Sequence, residues 1–147
     1  MNTESSKTEA STISGACLCG EVQFEVTLPS LWCGHCHCSN CRRAHGAAFV
    51  TFVGFVTDRF RVTSGSHSRV CYLTETGATR SFCSRCGSTL TYESPRWPGE
   101  VHVALASLQA PIDRAPESHV YVDHKAPWWE IEDSLPQLGG ETGTEPK

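Results

Sequence analysis

Nine cysteines in 147 residues are the feature that most constrains this chain, because eight of them fall into three short groups. The groups are Cys17-Leu-Cys19-Gly20, Cys33-Gly-His-Cys36-His-Cys38-Ser-Asn-Cys41 and Cys83-Ser-Arg-Cys86-Gly87, and Cys71 stands alone. Grouped cysteines either pair as disulfides in secreted proteins or bind metal in reducing compartments. Residues 1–14 are polar, with no apolar segment typical of a secretory signal. We therefore expect a cytoplasmic protein that binds metal through its thiols.

Composition narrows the range of partners. The formal net charge is −4, from 16 acidic residues against 12 lysines and arginines, which is not the basic surface that nucleic acid needs. No apolar run approaches the ~20 residues of a membrane-spanning helix. We expect neither a nucleic-acid nor a membrane partner, whereas the oligomeric state is not addressed by the sequence.

The hydrophobic pattern predicts a mainly β fold. Val22, Phe24 and Val26 alternate with polar residues, as in a half-buried strand. Further strands are predicted at Ala48–Val56, Phe60–Val62, Arg69–Leu73, Thr79–Phe82, Ser88–Tyr92, Val101–Leu105 and His119–Val122. Many short strands with frequent turns favour twisted antiparallel sheets in a sandwich or barrel-like domain, with one short helix at most, over Ser39–His45 near Cys41.

Composition also sets the expected boundaries of the domain. Residues 1–12 are rich in Ser, Thr and Glu and predict a disordered tail. Residues 139–147, with the sequence GGETGTEPK, predict a flexible C-terminal tail. The zinc-binding domain is then expected to span residues 13–138, without a linker or an internal repeat.

The first and third cysteine groups together predict a structural zinc site. A Cys-x-x-Cys turn such as Cys83–Cys86 presents two sulfurs to one metal, and zinc prefers four tetrahedral ligands. Cys17 and Cys19 can supply the other two, and four thiolates would leave no position for a substrate. The alternative is that one of the pairs is redox active or simply buried.

The second group predicts a metal site of another kind. Cys36, Cys38 and Cys41 can hold one metal from one side and leave a fourth position open, as catalysis requires. The alternative is that Cys33 supplies the fourth sulfur and closes the site. We expect His35 and His37 to lie outside the ligand set.

Three spaced motifs resemble the family of glutathione-dependent formaldehyde-activating enzymes. The matching residues are Gly15, Cys17, Cys19, Gly20, Val22 and Phe24, then Cys36, His37, Cys38, Ser39, Cys41, Arg42, Arg43, Gly46, Ala47 and Phe49, then Arg80, Phe82, Cys83, Cys86, Gly87, Ser88 and Leu90. A downstream stretch from His119 through Trp128 and Trp129 to Pro136 is also similar. The resemblance covers about Ile13 to Leu138.

The resemblance implies both a fold and an activity. The fold would be one of twisted antiparallel sheets, shared with a zinc-binding chaperone of small GTPases. It implies a structural zinc at Cys17, Cys19, Cys83 and Cys86, and a second zinc at an active site of Cys36, Cys38 and Cys41. The name-giving activity, classed as a carbon–sulfur lyase, adds the thiol of glutathione to formaldehyde to give S-hydroxymethylglutathione.

Two further expectations concern single residues. Arg42 and Arg43 follow Cys41 directly, and their guanidinium groups suit the carboxylates of glutathione; the alternative is that they form a solvated helix end. Cys71 lies in a strand pattern and is expected to be a buried apolar residue.

Three functions compete at this point. The first is a zinc enzyme that handles adducts of a thiol and a small electrophile such as formaldehyde. The second is a non-catalytic, zinc-stabilised protein-binding module, which a closed second site would favour. The third is a thiol redox or metal-sensing protein.

Overall fold

The computed structural model describes residues 11–147, and in this part of the chain it contains twelve β-strands and one α-helix. The strands are β1 Thr12–Ala16, β2 Gln23–Thr27, β3 Trp32–Cys36, β4 Val50–Val56, β5 Phe60–Ser64, β6 Arg69–Leu73, β7 Thr79–Cys83, β8 Thr89–Glu93, β9 Glu100–Ala104, β10 His119–Val120, β11 Leu138–Gly139 and β12 Glu145–Pro146. The helix, α1, spans Ser39–His45. The prediction of a mainly β chain with one short helix near Cys41 is confirmed.

The strands form two main sheets. The larger has seven strands in the order β10-β3-β4-β9-β8-β7-β6, antiparallel except for the parallel pair of β10 and β3. The smaller has three strands in the order β1-β2-β5, and β11 pairs with β12 in a separate hairpin. Within residues 11–147 the edge strands β10 and β6 do not pair with each other, so the fold is an open sandwich rather than a closed barrel.

The main core lies between the two sheets. Phe24 and Val26 of β2 pack in one buried cluster with Val53 of β4 and Val103 of β9. Cys33 of β3 belongs to the same cluster. Successive side chains of a strand point to opposite faces. Cys33, Val53 and Val103 therefore define the inner face of the seven-stranded sheet, and Phe24 and Val26 lie on the inner face of the three-stranded one.

The other face of the seven-stranded sheet carries a second, smaller cluster. Val50 and Phe52 of β4 pack there with Cys36 and Cys41. The register places Cys36 opposite Val50, so both side chains point away from the main core. This outer face is where the second cysteine group lies.

Four strands were not predicted from the sequence: β1, β3 and the two short strands of the C-terminal hairpin, β11 and β12. The strand β3 contains Cys, Gly and His in place of β-branched residues, and β1 contains Ser, Gly and Ala. Both are stabilised by pairing, β3 with β4 and β10, and β1 with β2. Strand propensity is weak where the neighbouring strands supply the hydrogen bonds.

The ends of the chain can be compared with the predicted tails only in part. Residues 1–10, most of the predicted N-terminal tail, lie outside the described residues, and β1 begins at Thr12. Residues 139–147 carry most of the β11–β12 hairpin. The backbone N–H of Tyr121, outside the hairpin, donates to the carbonyl of Gly143 in its loop at 2.8 Å. From residue 11 onward, no helix has the length and apolar character that crossing a membrane demands.

Cys71 is a correction to the sequence analysis. It is exposed, not buried, because β6 is an edge strand that pairs only with β7. The adjacent residues Val70 and Tyr72 are also exposed. The apolar pattern that suggested a buried strand therefore belongs to an edge strand with both faces open to solvent at these residues.

Candidate functional site

Four cysteines from the two sheets meet at one end of the sandwich. Cys17 and Cys19 follow β1 of the smaller sheet, while Cys83 ends β7 of the larger one and Cys86 follows it. Their four sulfur atoms all lie within 4.8 Å of one another. The Sγ of Cys19 is 3.6 Å from that of Cys17 and 3.9 Å from that of Cys83. The structure therefore brings together the four residues for which a structural metal site was predicted.

Backbone N–H groups surround these sulfurs. Val22 donates to the Sγ of Cys17 and Arg85 to that of Cys83, both at 3.3 Å, and Cys19 donates to that of Cys86 at 3.4 Å. Ser88 lies 3.2 Å from the sulfur of Cys86, and this hydrogen bond is the largest cause that lowers the pKa of Cys86 to about 5. Donors aimed at sulfur stabilise thiolates, the form that binds metal.

Two glycines allow the chain to wrap around this cluster. Gly20 and Gly87 both adopt the left-handed conformation, with φ of 80° and 82°. Side chains rarely tolerate this conformation, which is why glycine follows the second cysteine of each pair. Four thiols this close together fit a single zinc ion, and they would complete the four ligands that zinc prefers.

The second cysteine group lies on the outer face of the seven-stranded sheet. Cys36 ends β3, Cys38 precedes α1, and Cys41 lies on the buried side of that helix. The Sγ atoms of Cys36 and Cys41 are 3.5 Å apart. Hydrogen bonds from Cys36 and then Cys41 lower the pKa of Cys38, while the interaction with Cys38 raises the pKa of Cys36. The three thiols of this group therefore interact directly with one another.

Cys33 is separated from this group by the strand itself. Its side chain is 1% exposed and packs in the main core, whereas Cys36 packs in the outer cluster. Burial is the largest cause that raises the pKa of Cys33 to about 11, which disfavours a metal-binding thiolate. The geometry thus leaves Cys36, Cys38 and Cys41 as a group of three.

A cavity of about 910 Å³ opens on the same outer face. Its lining includes Cys36, Cys38 and Cys41 together with the aromatic residues Trp32, Phe52, Tyr72, Tyr92, Trp97 and Tyr121. Cys33 also borders the cavity, although it is 1% exposed and belongs to the main core. Leu138 and Thr144 of the C-terminal hairpin also line it. The volume lies at the upper end of the range for small-molecule sites, so the cavity has room for a ligand of peptide size next to the three sulfurs.

The two arginines predicted to bind carboxylates lie differently with respect to this cavity. Arg43 lines it, is exposed, and donates to the Asn40 side chain at 3.0 Å. Arg42 does not line the cavity, and its buried Nε has no hydrogen-bond partner in the described part of the chain. Of the two, Arg43 has the position from which an anionic ligand in the cavity can be reached.

A third arginine was not singled out from the sequence as a site residue. Arg80 on β7 is buried beside the thiols, and its Nη2 donates to the Sγ of Cys41 at 3.4 Å. The only sequence signal was its place in the motif that includes Cys83 and Cys86. Because Arg80 is 39 residues from Cys41 in the chain, only the folded structure brings the two together.

A chain of buried histidines lies behind the second cysteine group. His37 Nε2 is 2.8 Å from His119 Nδ1, and His119 Nε2 donates to the Asp133 carboxylate at 3.0 Å. Burial, followed by the charge of His119, lowers the pKa of His37 to about 4, so this ring is neutral at pH 7. His35 accepts or donates a hydrogen bond with Thr51 at 2.8 Å. His35 and His37 are therefore hydrogen-bonded to Thr51 and His119, and their place outside the metal ligand set stays a prediction.

Comparison with known proteins gives a consistent result. The family model described as "Glutathione-dependent formaldehyde-activating enzyme" matches residues 12–124. A Halomonas elongata protein named "Putative glutathione-dependent formaldehyde-activating enzyme" is 34% identical over 127 residues, which are 82% of this chain and 81% of that protein. A crystal structure of a Rhodobacter sphaeroides protein is similar at a TM-score of 0.59 and 29% identity, covering 68% of this chain and 91% of that one.

The four-cysteine cluster can be tested through the substitution Cys19→Ser. We expect the variant to bind one metal ion fewer than the wild type and to unfold at a temperature lower by about 10 °C or more, because the metal would no longer join the two sheets. The matched control is Cys71→Ser, which removes an exposed thiol that belongs to none of the three cysteine groups. Metal content by mass spectrometry and thermal unfolding measure both effects; equal metal content in the two variants would contradict the assignment.

The half-buried His45 gives a prediction for pH dependence. Burial, followed by the charge of Arg80, lowers its pKa from 6.5 to about 4. Between pH 6.5 and 4, His45 is protonated in the unfolded chain but neutral in the folded chain, so protonation favours unfolding. The contribution of the neutral His45 to the free energy of unfolding is therefore complete above pH 6.5 and is lost as the pH falls towards 4. Between pH 7.5 and 5.0 the free energy of unfolding should fall by about 1–2 kcal/mol more for the wild type than for His45→Gln.

The control for this pH experiment is His124→Gln, which changes an exposed histidine. Chemical denaturation of all three proteins at each pH gives the comparison, and any metal-linked contribution is common to them. Identical pH slopes for His45→Gln and the wild type would show that His45 is not protonated differently in the folded state.

Proposed function

The chain belongs to the glutathione-dependent formaldehyde-activating enzyme family, and on that premise we propose that it is a zinc-dependent enzyme of the carbon–sulfur lyase type. The enzyme forms or cleaves the adduct of two small molecules. One is a thiol, glutathione, and the other is a small aldehyde such as formaldehyde. The single observation that carries the proposal is the group of three thiols at the wall of a large cavity, whereas Cys33 is 1% exposed and packs in the main core. We place this enzyme in the cytoplasm, where these thiols stay reduced.

Two zinc sites with different roles are part of this proposal. Cys17, Cys19, Cys83 and Cys86 would hold a structural ion, because four thiolates complete its coordination. Cys36, Cys38 and Cys41 would hold the second ion, which when bound supplies an open position where a thiol is kept as its thiolate.

The remaining parts of the cavity serve binding and exclusion of water. Arg43 offers a guanidinium group to a carboxylate of the thiol substrate. The aromatic lining provides apolar surface around the reacting sulfur, which weakens competition from water. The His37–His119–Asp133 chain holds the backbone between Cys36 and Cys38 against the main body of the fold through buried hydrogen bonds.

The chemistry needs no oxidant or reductant. The sulfur of the thiol forms a bond to the carbonyl carbon, the π electron pair of the carbonyl moves to oxygen, and the proton that the thiol loses ends on that oxygen. The product is a hydroxymethyl thioether of the thiol, and the reverse reaction cleaves the same carbon–sulfur bond. Positioning of the two reactants is therefore the main task of the site.

A non-catalytic protein-binding module is the alternative, and it depended on Cys33 as a fourth ligand of the second metal. Cys33 lies opposite Val53 in the pairing of β3 with β4 and packs in the main core, whereas Cys36 and Cys41 pack in the outer cluster. This placement favours the enzyme, because a site of three thiolates keeps a position for a substrate.

The first experiment is a glutathione titration of cobalt-substituted protein, followed by absorption spectroscopy. Cobalt reports the number of thiolate ligands through charge-transfer bands. We expect a saturable increase of these bands in the wild type, since the second site gains a fourth sulfur, and no increase in Cys38→Ser.

The matched control is Cys33→Ser, which should respond to glutathione like the wild type because Cys33 faces the core. A wild-type spectrum that already shows two complete four-thiolate sites and does not change would contradict the proposal. The search for a function would then turn to protein partners.

Arg43 and Arg42 give a second prediction. Arg43→Gln should weaken glutathione binding by about 5–10-fold, as the loss of a charged hydrogen bond at an exposed site predicts, whereas Arg42→Gln should change it by less than about 2-fold. The same cobalt titration measures both. A neutral thiol without carboxylates, 2-mercaptoethanol, should bind equally well to wild type and Arg43→Gln; a similar loss for this thiol would show that Arg43 acts on the metal site and not on a carboxylate.

A further inference from the structure

Arg80 is a buried cation without a carboxylate partner. It is 8% exposed, and no ion pair among residues 11–147 involves it. A buried guanidinium that lacks an anion is costly, so its presence in a fold calls for a compensating partner. The nearest candidate is the sulfur of Cys41, to which Nη2 donates at 3.4 Å.

The guanidinium is held in one orientation. Arg80 lies opposite Tyr92 in the pairing of β7 with β8, and its Cζ is 4.8 Å from the centre of the Tyr92 ring. A cation over an aromatic face and a hydrogen bond to sulfur together restrict the long side chain. Donors that are fixed before a ligand arrives need no reorganisation when charge develops.

One end of this guanidinium has no partner. Arg80 Nη1 is buried and makes no hydrogen bond to any of residues 11–147, although Arg80 lines the cavity beside Cys41. Because the donors of a guanidinium form a rigid planar fork, Nη1 stays next to the Nη2 that contacts the sulfur. A ligand atom bound close to the three thiols would therefore lie near an unused donor.

The other arginines of the cavity do not share these properties. Arg96 already donates from Nη1 to the Tyr121 hydroxyl at 3.0 Å and from Nη2 to the Thr142 carbonyl at 3.1 Å. Arg43 is exposed on α1 and contacts Asn40. Among the arginines that line the cavity, Arg80 alone combines burial, contact with a thiol of the group and a free donor.

We propose that Arg80 is a catalytic residue that donates hydrogen bonds to the aldehyde oxygen while the thiol sulfur adds to the carbonyl carbon. This inference rests on the proposed function. In the step, the sulfur electron pair forms the carbon–sulfur bond, and the π pair of the carbonyl moves to oxygen, which becomes an alkoxide. The guanidinium stabilises this alkoxide until it takes up the proton that the thiol released to solvent.

The test compares Arg80→Gln and Arg80→Lys with Arg61→Gln, which makes the same chemical change at a surface arginine paired with Glu25. Removing one donor from an oxyanion site typically lowers kcat by about 100–1000-fold, and we expect this for Arg80→Gln. Arg80→Lys keeps the charge but loses the fork and should fall between Arg80→Gln and the wild type. Arg61→Gln should retain the wild-type kcat.

Two equilibrium measurements separate this role from a structural one. Zinc content and the dissociation constant for glutathione should stay within about 3-fold of wild type in both Arg80 variants, because the donor acts on the aldehyde oxygen and not on the thiol. Formate, an oxyanion of the size of the aldehyde, should bind the glutathione-saturated wild type and Arg61→Gln but not Arg80→Gln, as followed by calorimetry.

Each outcome has a defined meaning. A normal kcat in Arg80→Gln, or a loss confined to zinc content and glutathione binding, overturns the role of Arg80 and leaves the proposed function intact. If Arg80→Gln does not fold, Arg80→Lys decides by the same two criteria. A wild type that binds glutathione but turns over no thiol–aldehyde pair overturns the proposed function and the role of Arg80 together.

Discussion

The meeting of four cysteine thiols from two different sheets is the contact on which the rest of the structure depends. Cys17 and Cys19 follow the first strand of the smaller sheet, whereas Cys83 ends a strand next to the edge of the larger sheet and Cys86 follows it. A small sandwich buries a limited core, so a metal at this point would add stability that packing alone does not supply. The four-cysteine cluster also holds the end of β7 in place, and therefore the position of Arg80 on the outer face of the seven-stranded sheet.

The two faces of the seven-stranded sheet separate stability from chemistry. The inner face packs on the smaller sheet through residues such as Val53 and Val103, while the outer face carries the cavity and the thiols of Cys36 and Cys41. The alternation of β3 divides its two cysteines between these faces. A shift of one residue in the register of β3 would exchange them, and this is why the pairing with β4 determines which thiols face the cavity.

Much of the fold could be predicted from the sequence. The helix was predicted at its observed bounds, Ser39–His45, and so was the strand Arg69–Leu73, because local pattern and turn residues indicate both. The strand β3 could not be predicted, since its residues favour no strand and its hydrogen bonds come from neighbours distant in sequence. The exposure of Cys71 was missed for a related reason: the sequence pattern does not show that β6 lies at an edge.

The sequence by itself determined the cysteine groups, their spacing and the glycines that follow them, since ligand type and turn geometry depend on residues close together in the chain. It therefore pointed to two thiol sites and to the family. Only the tertiary structure decided that Cys33 faces the core, that Arg43 and not Arg42 lines the cavity, and that Arg80 contacts Cys41. These relations depend on strand register and on contacts between residues up to tens of positions apart, which no local pattern records.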